Sequence, residues 1–283
     1  MLHRISNEEY ELYKKHIYSL SADLSRCTFP IYSDGVKTEE FFYARSFKGL
    51  ASDGEEILLY ERAGRAEGWI HYYFIAEDRY LGISSMLIEN GFDKAIGELF
   101  DYWSKRYAGY SWCLYLPSEN SEGLDFMAEK GSPEVSRSVV DVLLFKNYRK
   151  NAENGNVIAI DKNNFELFGN IHSRYDGEMY WNSDRIKKDM DRWKIFAYIG
   201  ENGCRGVLYY ICAGKNLEIF GIDYADEKYD PDVTEALLIS GLNRAEEEGA
   251  ESMYFFNDEE THIVAEKLGF VRMAEACCFE GEI

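Results

Sequence analysis

The sequence predicts an α/β (α+β) protein made of two tandem domains, each with a mixed, mostly antiparallel sheet flanked by helices. Its 283 residues are enough for two domains of ordinary size. Hydrophobic residues make up 46% and aromatic residues 16% of the chain, which is typical of packed globular proteins. Residues also recur at an offset of 138 positions, which indicates an internal repeat. The matched pairs are Tyr60 and Tyr198, Gly68 and Gly206, Tyr72 and Tyr210, and Gly131 and Gly269.

Each copy of the repeat opens with a predicted β-hairpin. In the first copy, Ile57–Tyr60 and Trp69–Phe74 are rich in aromatic and branched residues and flank a charged turn that contains glycine. In the second copy, Ile195–Tyr198 and Val207–Ile211 flank Glu201-Asn202-Gly203, whose residue types favour a positive φ. The same supersecondary unit is therefore expected twice.

After each hairpin the pattern predicts a strand, a long helix, a strand, a short helix and a last strand. The predicted bounds in the second copy are a strand at 217–224, helices at 232–248 and 259–268, a strand at 252–256 and a last strand from 270. Asp230 and Pro231 supply an N-cap and a first-turn residue for the long helix, and Gly249 ends it. In the first copy we expect strands at 81–88 and 112–116 and a helix at 94–107.

A polar, turn-rich segment separates the two copies. It covers residues 146–156 and contains four asparagines and a glycine but few apolar residues, which is typical of a linker. The sequence therefore predicts an N-terminal domain at 1–146, a linker at 147–156 and a C-terminal domain at 157–283.

The charge of the chain excludes some partners. With 31 basic and 51 acidic residues, the net charge of −20 repels nucleic acid and anionic membrane surfaces. Most of the acidic excess follows residue 150, where it either attracts cationic partners or serves solubility alone. No apolar run approaches the roughly 20 residues of a membrane-spanning helix, and no export signal is recognised, so we expect a cytoplasmic protein.

The cysteines and the usual catalytic motifs give no metal or nucleotide site. Six cysteines lack zinc-like spacing with each other or with the five histidines, so we expect reduced thiols and no metal. The chain has no P-loop, no G-x-S-x-G elbow, no H-E-x-x-H and no G-x-G-x-x-G, so NTPase, lipase, zincin and dinucleotide-binding classes lack their minimum parts.

One short motif occurs at corresponding places in both copies. Ala265–Phe270, with the sequence A-E-K-L-G-F, lies before the last strand, and Met127–Gly131 is a weaker echo one repeat earlier. With the order of elements, this resembles the GCN5-related N-acetyltransferase (GNAT) superfamily in a tandem arrangement that covers nearly the whole chain. The resemblance implies acetyl transfer from acetyl-CoA to an amine.

The resemblance also implies where acetyl-CoA binds. In this family a splayed strand faces the pantetheine arm, and a glycine-rich helix start binds the diphosphate through free amides and the helix dipole. In the second copy Tyr229, Asp230, Asp232 and Thr234 replace the family's Arg and glycines, which indicates only a well-capped helix. We therefore expect the cofactor in the first copy. The implied cofactor-binding residues are Leu87, Ile88, Glu89, Lys94, Ala95, Ile96 and Gly97, with Asn120 and Asn257 after their strands as candidates near the thioester or as ordinary turn residues.

The catalytic residues are less well marked. Glu218 stands where some family members carry a glutamate base, although a strand glutamate between Leu217 and Ile219 also fits a half-exposed surface position. Asp223 is a second candidate on the opposite strand face, and Tyr224 is a nearby candidate acid. The tyrosine that many family members carry before the E-K-L-G-F run is Ala265 here and Met127 in the first copy.

Two classes of function therefore remain open from the sequence. The first is an acetyltransferase that acts on a small cationic amine, with Met179-Tyr180-Trp181 and Trp193 lining the acceptor pocket or simply packing in the core. The second is a catalytically degenerate protein that senses or scaffolds acyl-CoA or another small ligand. A homodimer is left open.

Overall fold

The computed structural model describes residues 1–32, 34, 36–177 and 179–283. The first half of the chain forms β1 (Leu2–Arg4), α1 (Asn7–Leu20), α2 (Glu39–Leu50), β2 (Glu55–Arg62), β3 (Arg65–Ile75), β4 (Tyr80–Ile88), α3 (Phe92–Ser104), β5 (Ser111–Pro117), α4 (Ser121–Lys130) and β6 (Glu134–Leu144). The second half forms β7 (Val157–Ile160), α5 (Glu166–His172), α6 (Ser183–Lys188), β8 (Trp193–Gly200), β9 (Gly203–Ala213), β10 (Asn216–Tyr224), α7 (Pro231–Glu247), β11 (Ser252–Asn257), α8 (Glu259–Lys267) and β12 (Val271–Glu282).

These elements fold into two compact units. One unit is Met1–Arg137 together with Ala274–Ile283, and the other is Ser138–Met273. In the first unit, β1 to β4 are antiparallel neighbours, β4 begins parallel to β5, and β5 pairs antiparallel with β12. In the second unit, β7 to β10 are antiparallel neighbours, β10 begins parallel to β11, and β11 pairs antiparallel with β6. Each unit is a mixed, mostly antiparallel sheet flanked by helices, as predicted.

The division of the chain differs from a single cut at a linker. The last ten residues belong to the first unit, and residues 138–146 belong to the second. The segment predicted as the linker, 147–156, lies inside the second unit, where Tyr148 and Asn151 bond to the buried side chain of Asn243 on α7. Polar residues thus hold this segment on the unit, because a buried amide supplies both a donor and an acceptor.

Apolar side chains at helical spacing attach the long helices to the sheets. On α3, six residues face a core with β2 to β5, and they are Phe92, Ala95, Ile96, Leu99, Phe100 and Trp103. On α7, Val233, Leu237, Leu238 and Leu242 face the equivalent core in the second unit. Within the described residues, no helix has the length and apolar character needed to cross a membrane.

The repeated glycines have physical causes. A Cβ on Gly68 of β3 would lie 2.1 Å from the carbonyl oxygen of Leu87, so this position has no room for a side chain. A Cβ on Gly206 of β9 would lie 3.0 Å from the Val233 side chain, a tight contact that requires Val233 to shift. Gly131 and Gly269 follow α4 and α8 with φ of +74° and +99°, a region that L-residues avoid. The glycines that recur at an offset of 138 residues therefore occupy positions with similar steric or backbone requirements in the two units.

Candidate active site

Both units contain a pair of parallel strands that separate soon after they begin. β4 pairs with β5 only from Tyr80 to Gly82, and β10 pairs with β11 only from Asn216 to Ile219. A β-bulge then follows on β4 and on β10, where Ser84 and Phe220 are left without a cross-strand partner in the register. Each unit thus opens a cleft between two diverging strands.

The first cleft is filled by the chain itself. The strap (Cys27–Tyr32) runs between β4 and β5, where Cys27 forms a bridge with Leu87 and the amide of Thr28 donates to the Met86 carbonyl at 3.1 Å. The amide of Phe29 donates to the Tyr115 carbonyl on β5 at 3.0 Å. The strap therefore already binds backbone groups that line both sides of this cleft.

Two buried side chains fix the strap. The hydroxyl of Tyr32 donates to the carbonyl of Ser84, the bulge residue, at 3.0 Å. Asn120, which is fully buried, donates through Nδ2 to the Cys27 carbonyl at 3.0 Å and accepts from the Gly123 amide as the N-cap of α4. The sequence position of Asn120 made it a candidate neighbour of a thioester. In the structure its side chain instead forms a hydrogen bond to the strap.

The start of α3 differs from the prediction and needs a correction. The helix begins at Phe92 after Gly91, whose φ is +71°, so Lys94 lies in its first turn, while Ala95, Ile96 and Gly97 lie further inside the helix. The amide of Ala95 donates to the Gly91 carbonyl at 3.0 Å. Glycine at 97 has a packing cause, since a Cβ there lies 3.3 Å from the ring of Phe126 on α4. These residues cannot cradle a diphosphate with free amides.

The surroundings of the α3 mouth are also acidic. The carboxylate of Glu122 accepts from the Phe92 amide at 2.6 Å, which satisfies a helix-terminal donor that an anion needs. Ile88 is buried in the core, and the Glu89 amide donates to the Glu67 carbonyl at 2.6 Å. Among the residues predicted to bind the diphosphate, Lys94 is exposed, whereas Ala95 and Ile96 are buried and Gly97 is half-buried.

The second cleft is arranged differently. Residues 221–224 of β10 pair with β9, and the described residues provide them with no second strand on the side of β11. The segment between α5 and α6, which corresponds to the strap, bonds elsewhere: Arg174 reaches the Ala225 carbonyl at 3.0 Å and the Trp181 carbonyl accepts from His172. Among the described residues, no backbone group of this segment bonds to the backbone of residues 221–224 of β10.

The start of α7 is closed by its own N-cap, as predicted. Asp230 accepts from the amides of Asp232 at 3.0 Å and Val233 at 3.2 Å, and it forms an ion pair with Arg205. Pro231 at the first helical position has no amide hydrogen. The α7 start therefore has its nearest donors occupied by a carboxylate.

Glu218 lies beside the second cleft. On β10 it is flanked by Ile211 of β9 and Tyr254 of β11, two residues before the bulge, and it is half-buried. Leu217 and Ile219 point to the core under α7, so Glu218 faces the other side of the sheet, where α5 packs.

Asp223 is engaged in a buried pair. Its carboxylate accepts from Nδ1 of His172 at 2.8 Å, and Nε2 of the same ring donates to the Trp181 carbonyl at 2.9 Å. Two acceptors on opposite sides of one ring require two N–H groups, so the geometry favours the imidazolium. Burial lowers the pKa of His172, but the bonds to Asp223 and Trp181 outweigh it and raise the pKa above its usual value. Asp223 thus holds a charged histidine.

Tyr224 faces the opposite side of the sheet from Asp223. Its hydroxyl is 2.5 Å from Oγ1 of Thr234 on α7, and burial raises its pKa. Nearby, Tyr229 donates to the Glu260 carbonyl at 2.8 Å. Tyr224 thus lies at the helix side of the second cleft, hydrogen-bonded to one of the residues that replaced the family's glycines.

Asn257 belongs to a buried polar group that sequence reasoning missed. Its Nδ2 donates to Asp141 of β6 at 2.9 Å, and His262 of α8 donates through Nδ1 to the same carboxylate at 2.9 Å. Asp141 is fully buried, and Oδ1 of Asn257 has no partner among the described atoms. His262 and Asp141 are 121 residues apart, so no local pattern could have joined them.

The aromatic residues suggested for an acceptor pocket mostly pack in the core. The rings of Trp181 and Trp193 meet edge to face at 5.3 Å, and Trp193 is buried. Arg185 stacks over Tyr180 at 4.0 Å, so that ring already has a cation on one face.

The fold was compared with known proteins. No family model and no curated protein matches the sequence. A solved GCN5-related N-acetyltransferase from Sphaerobacter thermophilus superposes with a TM-score of 0.64 at 12% identity, over 100% of this chain and 95% of that one. A tandem GNAT protein from the clavulanic acid biosynthesis pathway superposes with 0.55 at 9% identity, over 100% and 98%. The chain has a tandem GNAT fold.

A third similar structure is described as a putative acetyltransferase from Pyrococcus horikoshii, with a TM-score of 0.54 at 11% identity over 100% of this chain and 89% of that one. These likenesses concern the architecture. The paired clefts at β4/β5 and β10/β11 are therefore equivalent places in the two copies of this fold, and they differ in the residues around them.

Proposed function

We propose that the protein is an acyltransferase that binds the pantetheine arm of acyl-CoA in the second unit and acylates a small cationic amine. One observation carries this: residues 221–224 of β10 pair only with β9 within the described chain, whereas the matching residues of β4 are bound by the strap. Unpaired strand amides and carbonyls can bind the amide groups of an extended arm in the manner of an added strand. This moves the cofactor from the first copy, where the sequence suggested it, to the second.

The two ends of the cofactor fit the second unit differently. The cleft fits the extended arm because backbone donors and acceptors line it. The α7 start does not fit the diphosphate, because Asp230 occupies two of its amides and a carboxylate repels phosphate. Arg205 offsets part of that charge through its ion pair. The arm is therefore the part of acyl-CoA to which this unit is suited.

Glu218 is the proposed base. Acylation of an amine requires the ammonium to lose a proton before its nitrogen attacks the thioester carbon, while the thiolate leaves and is protonated. Glu218 is half-buried at the point where β10 and β11 separate, and a carboxylate there can accept the ammonium proton directly or through water. Asp223 is less suited to this role because it pairs with His172.

The charge of the chain favours a cationic acceptor. The net charge is −20, and most of the acidic excess lies in the second half. Such a field raises the local concentration of cations and lowers that of anions. We therefore propose an amine that carries a positive charge at neutral pH, in preference to an acidic acceptor.

A second candidate is a protein that binds a small ligand without turnover. It is favoured by a carboxylate at each helix start, where acetyl-CoA needs anion-binding amides: Glu122 of α4 binds the first amide of α3, and Asp230 is the N-cap of α7. The catalytic tyrosine position of the family, Ala265 in α8, is a buried alanine that has no proton to give.

Calorimetric titration with acetyl-CoA separates these candidates. The wild type is compared with Ile222→Trp, which adds bulk to a half-buried residue of β10 beside the cleft, and with Ile83→Trp at a half-buried residue of β4. We expect binding by the wild type, at least tenfold weaker binding by Ile222→Trp and no change for Ile83→Trp. The reverse order of effects would place the cofactor in the first unit, and no wild-type binding at millimolar acetyl-CoA would contradict the transferase proposal.

Release of free thiol then tests turnover. Acetyl-CoA is incubated with the protein and with matched pairs of amines and carboxylated amines of similar size. We expect thiol release above the uncatalysed rate only with cationic amines. Binding without release for any amine would support the ligand-binding candidate.

A further inference from the structure

Two thiols meet on neighbouring strands of the first unit, away from the strap. Cys113 of β5 and Cys278 of β12 have Sγ atoms 3.7 Å apart, although 165 residues separate them in sequence. Cys113 is half-buried and Cys278 is buried. The proposed acyl transfer does not use this pair.

The register of the strands argues against a disulfide. Cys113 lies directly opposite Glu280, and Cys278 lies directly opposite Tyr115, so the two cysteines are diagonal neighbours. Diagonal neighbours have Cβ atoms well beyond the roughly 3.5–4.5 Å that a disulfide spans. The thiols therefore approach each other by pointing along the sheet, without the backbone spacing for an S–S bond.

The same spacing fits two sulfurs that share one metal ion. Zinc–thiolate bonds of about 2.3 Å at a tetrahedral angle place two sulfurs about 3.8 Å apart, close to the arrangement here. The carboxylate of Glu280 completes a set of three donors whose ligand atoms all lie within 4.8 Å of one another. Two thiolates and one carboxylate are a donor set that suits Zn²⁺.

The charge of the chain also favours a cation at this place. The net charge of −20 gives a general attraction for divalent cations.

We propose that Cys113, Cys278 and Glu280 form a Zn²⁺ site with its fourth position open to water. Binding forms two Zn–S bonds and one Zn–O bond, and the thiol protons that remain leave to solvent, so no oxidant or reductant is needed. The ion joins β5 to β12, and its binding free energy is added to the stability of the first unit.

The test measures Zn²⁺ binding to the reduced, chelator-treated protein against a chromophoric competitor, with Co²⁺ absorption as a probe of thiolate ligation. We expect one ion per chain and an increase in the melting temperature. Cys113→Ser removes one of the two thiolates, so it should weaken Zn²⁺ binding strongly and reduce the Co²⁺–thiolate absorption, and Glu280→Gln should weaken Zn²⁺ binding about tenfold or more. Both positions are at least partly exposed, so the variants are expected to fold.

The matched control is Cys212→Ser, which removes a half-buried strand thiol from the second unit and should leave Zn²⁺ affinity unchanged. Equal affinity of the wild type and Cys113→Ser would overturn the proposal. So would air oxidation that consumes two thiols in the wild type but none in Cys113→Ser, because the pair would then be a disulfide.

Discussion

The two clefts of the molecule have the same construction and different contents. In both units a parallel strand pair separates after three or four residues, and a bulge follows. In the first unit the strap binds the strand edges, and in the second unit the corresponding segment turns away to hold His172 and Ala225. The diverging strands therefore form the cleft in both units. Whether the cleft is filled depends on the segment between two helices, α1 and α2 in the first unit and α5 and α6 in the second.

This difference teaches how a duplicated fold can divide its roles. A cleft with unpaired backbone groups costs stability unless a ligand or water satisfies them. The strap removes that cost in the first unit through backbone bonds to Met86, Leu87 and Tyr115. Among the described residues of the second unit, no strap binds the corresponding edge of β10, and under the proposed function this unit retains the binding role.

The largest expected effect tests whether the second cleft is the working one. Glu218→Gln should lower kcat about 100-fold or more, because the amide cannot accept the ammonium proton, with little change in acetyl-CoA affinity. The measurement is thiol release at saturating acetyl-CoA. Glu246→Gln, an exposed change on α7 with the same loss of charge, is the control. An unchanged kcat in Glu218→Gln would show that another group accepts the proton.

The next effect compares the N-caps of the two short helices. Asn120→Ala removes a cap and a buried bond to the strap, so we expect a loss of about 2 kcal/mol in the free energy of unfolding of the first unit. Asp258→Ala, at the N-cap of α8, removes a cap alone and should cost about 1 kcal/mol. Urea unfolding measures both. Equal losses would mean that the bond to Cys27 adds nothing.

A smaller effect concerns the carboxylates at the helix starts. Asp230→Asn keeps an N-cap acceptor and removes the charge, so acetyl-CoA should bind the second unit about fivefold more tightly at low salt, with the gain falling as salt rises. Glu122→Gln is the matched change in the first unit and should leave affinity unchanged. A gain from Glu122→Gln alone would reverse the assignment of the units.

The smallest expected effect is on the pH dependence of stability in the two units. His172 and His71 are fully buried and each is bonded to a carboxylate, but their pKa values are shifted in opposite directions. The pKa of His172 is raised, so its contribution is present below about pH 6.5 and is lost as pH rises through its folded-state pKa. Burial, with the charge of Arg45, lowers the pKa of His71, so its neutral form is favoured and stability is lost as pH falls below about 6.5.

Hydrogen exchange from about pH 5.5 to pH 8.5, corrected for intrinsic rates, can follow each unit separately. We expect the second unit to weaken toward the alkaline end and the first toward the acidic end. His172→Gln and His71→Gln should flatten their own profiles only. Parallel profiles in both units would contradict the assigned directions.

Much of the fold was predictable because its signals are local. The predicted strand at 217–224 differs from β10 by one residue at its start, and the predicted helix at 232–248 differs from α7 by one residue at each end. Asp230 caps α7 as expected. The predicted helix at 94–107 differs from α3 by two residues at its start and three at its end, and the start is earlier because Gly91 with a positive φ precedes Phe92. The start of a helix that depends on one glycine, here Gly91, is hard to predict when a second glycine, Gly97, follows closely in the sequence.

The candidate site was less predictable because its contacts are distant in sequence. The bond from Asn120 to Cys27 spans 93 residues, and the pair of His172 and Asp223 spans 51. Asn120 and Asn257 marked the ends of β5 and β11 in the sequence, but no sequence pattern indicated that the strap enters the first cleft. Asp141 is an acid inside the apolar run at 139–144 of β6, and it is the one signal that could have pointed to the buried group with His262.

The placement of β12 has a consequence for synthesis of the protein. The strand that completes the first sheet is separated from Arg137 by the 136 residues of the second unit. At about 5–20 residues per second, a ribosome needs on the order of ten seconds to supply it. During that time the edge of β5 lacks its final neighbour, so the nascent chain offers an open strand edge to chaperones or to other chains until translation reaches Ala276.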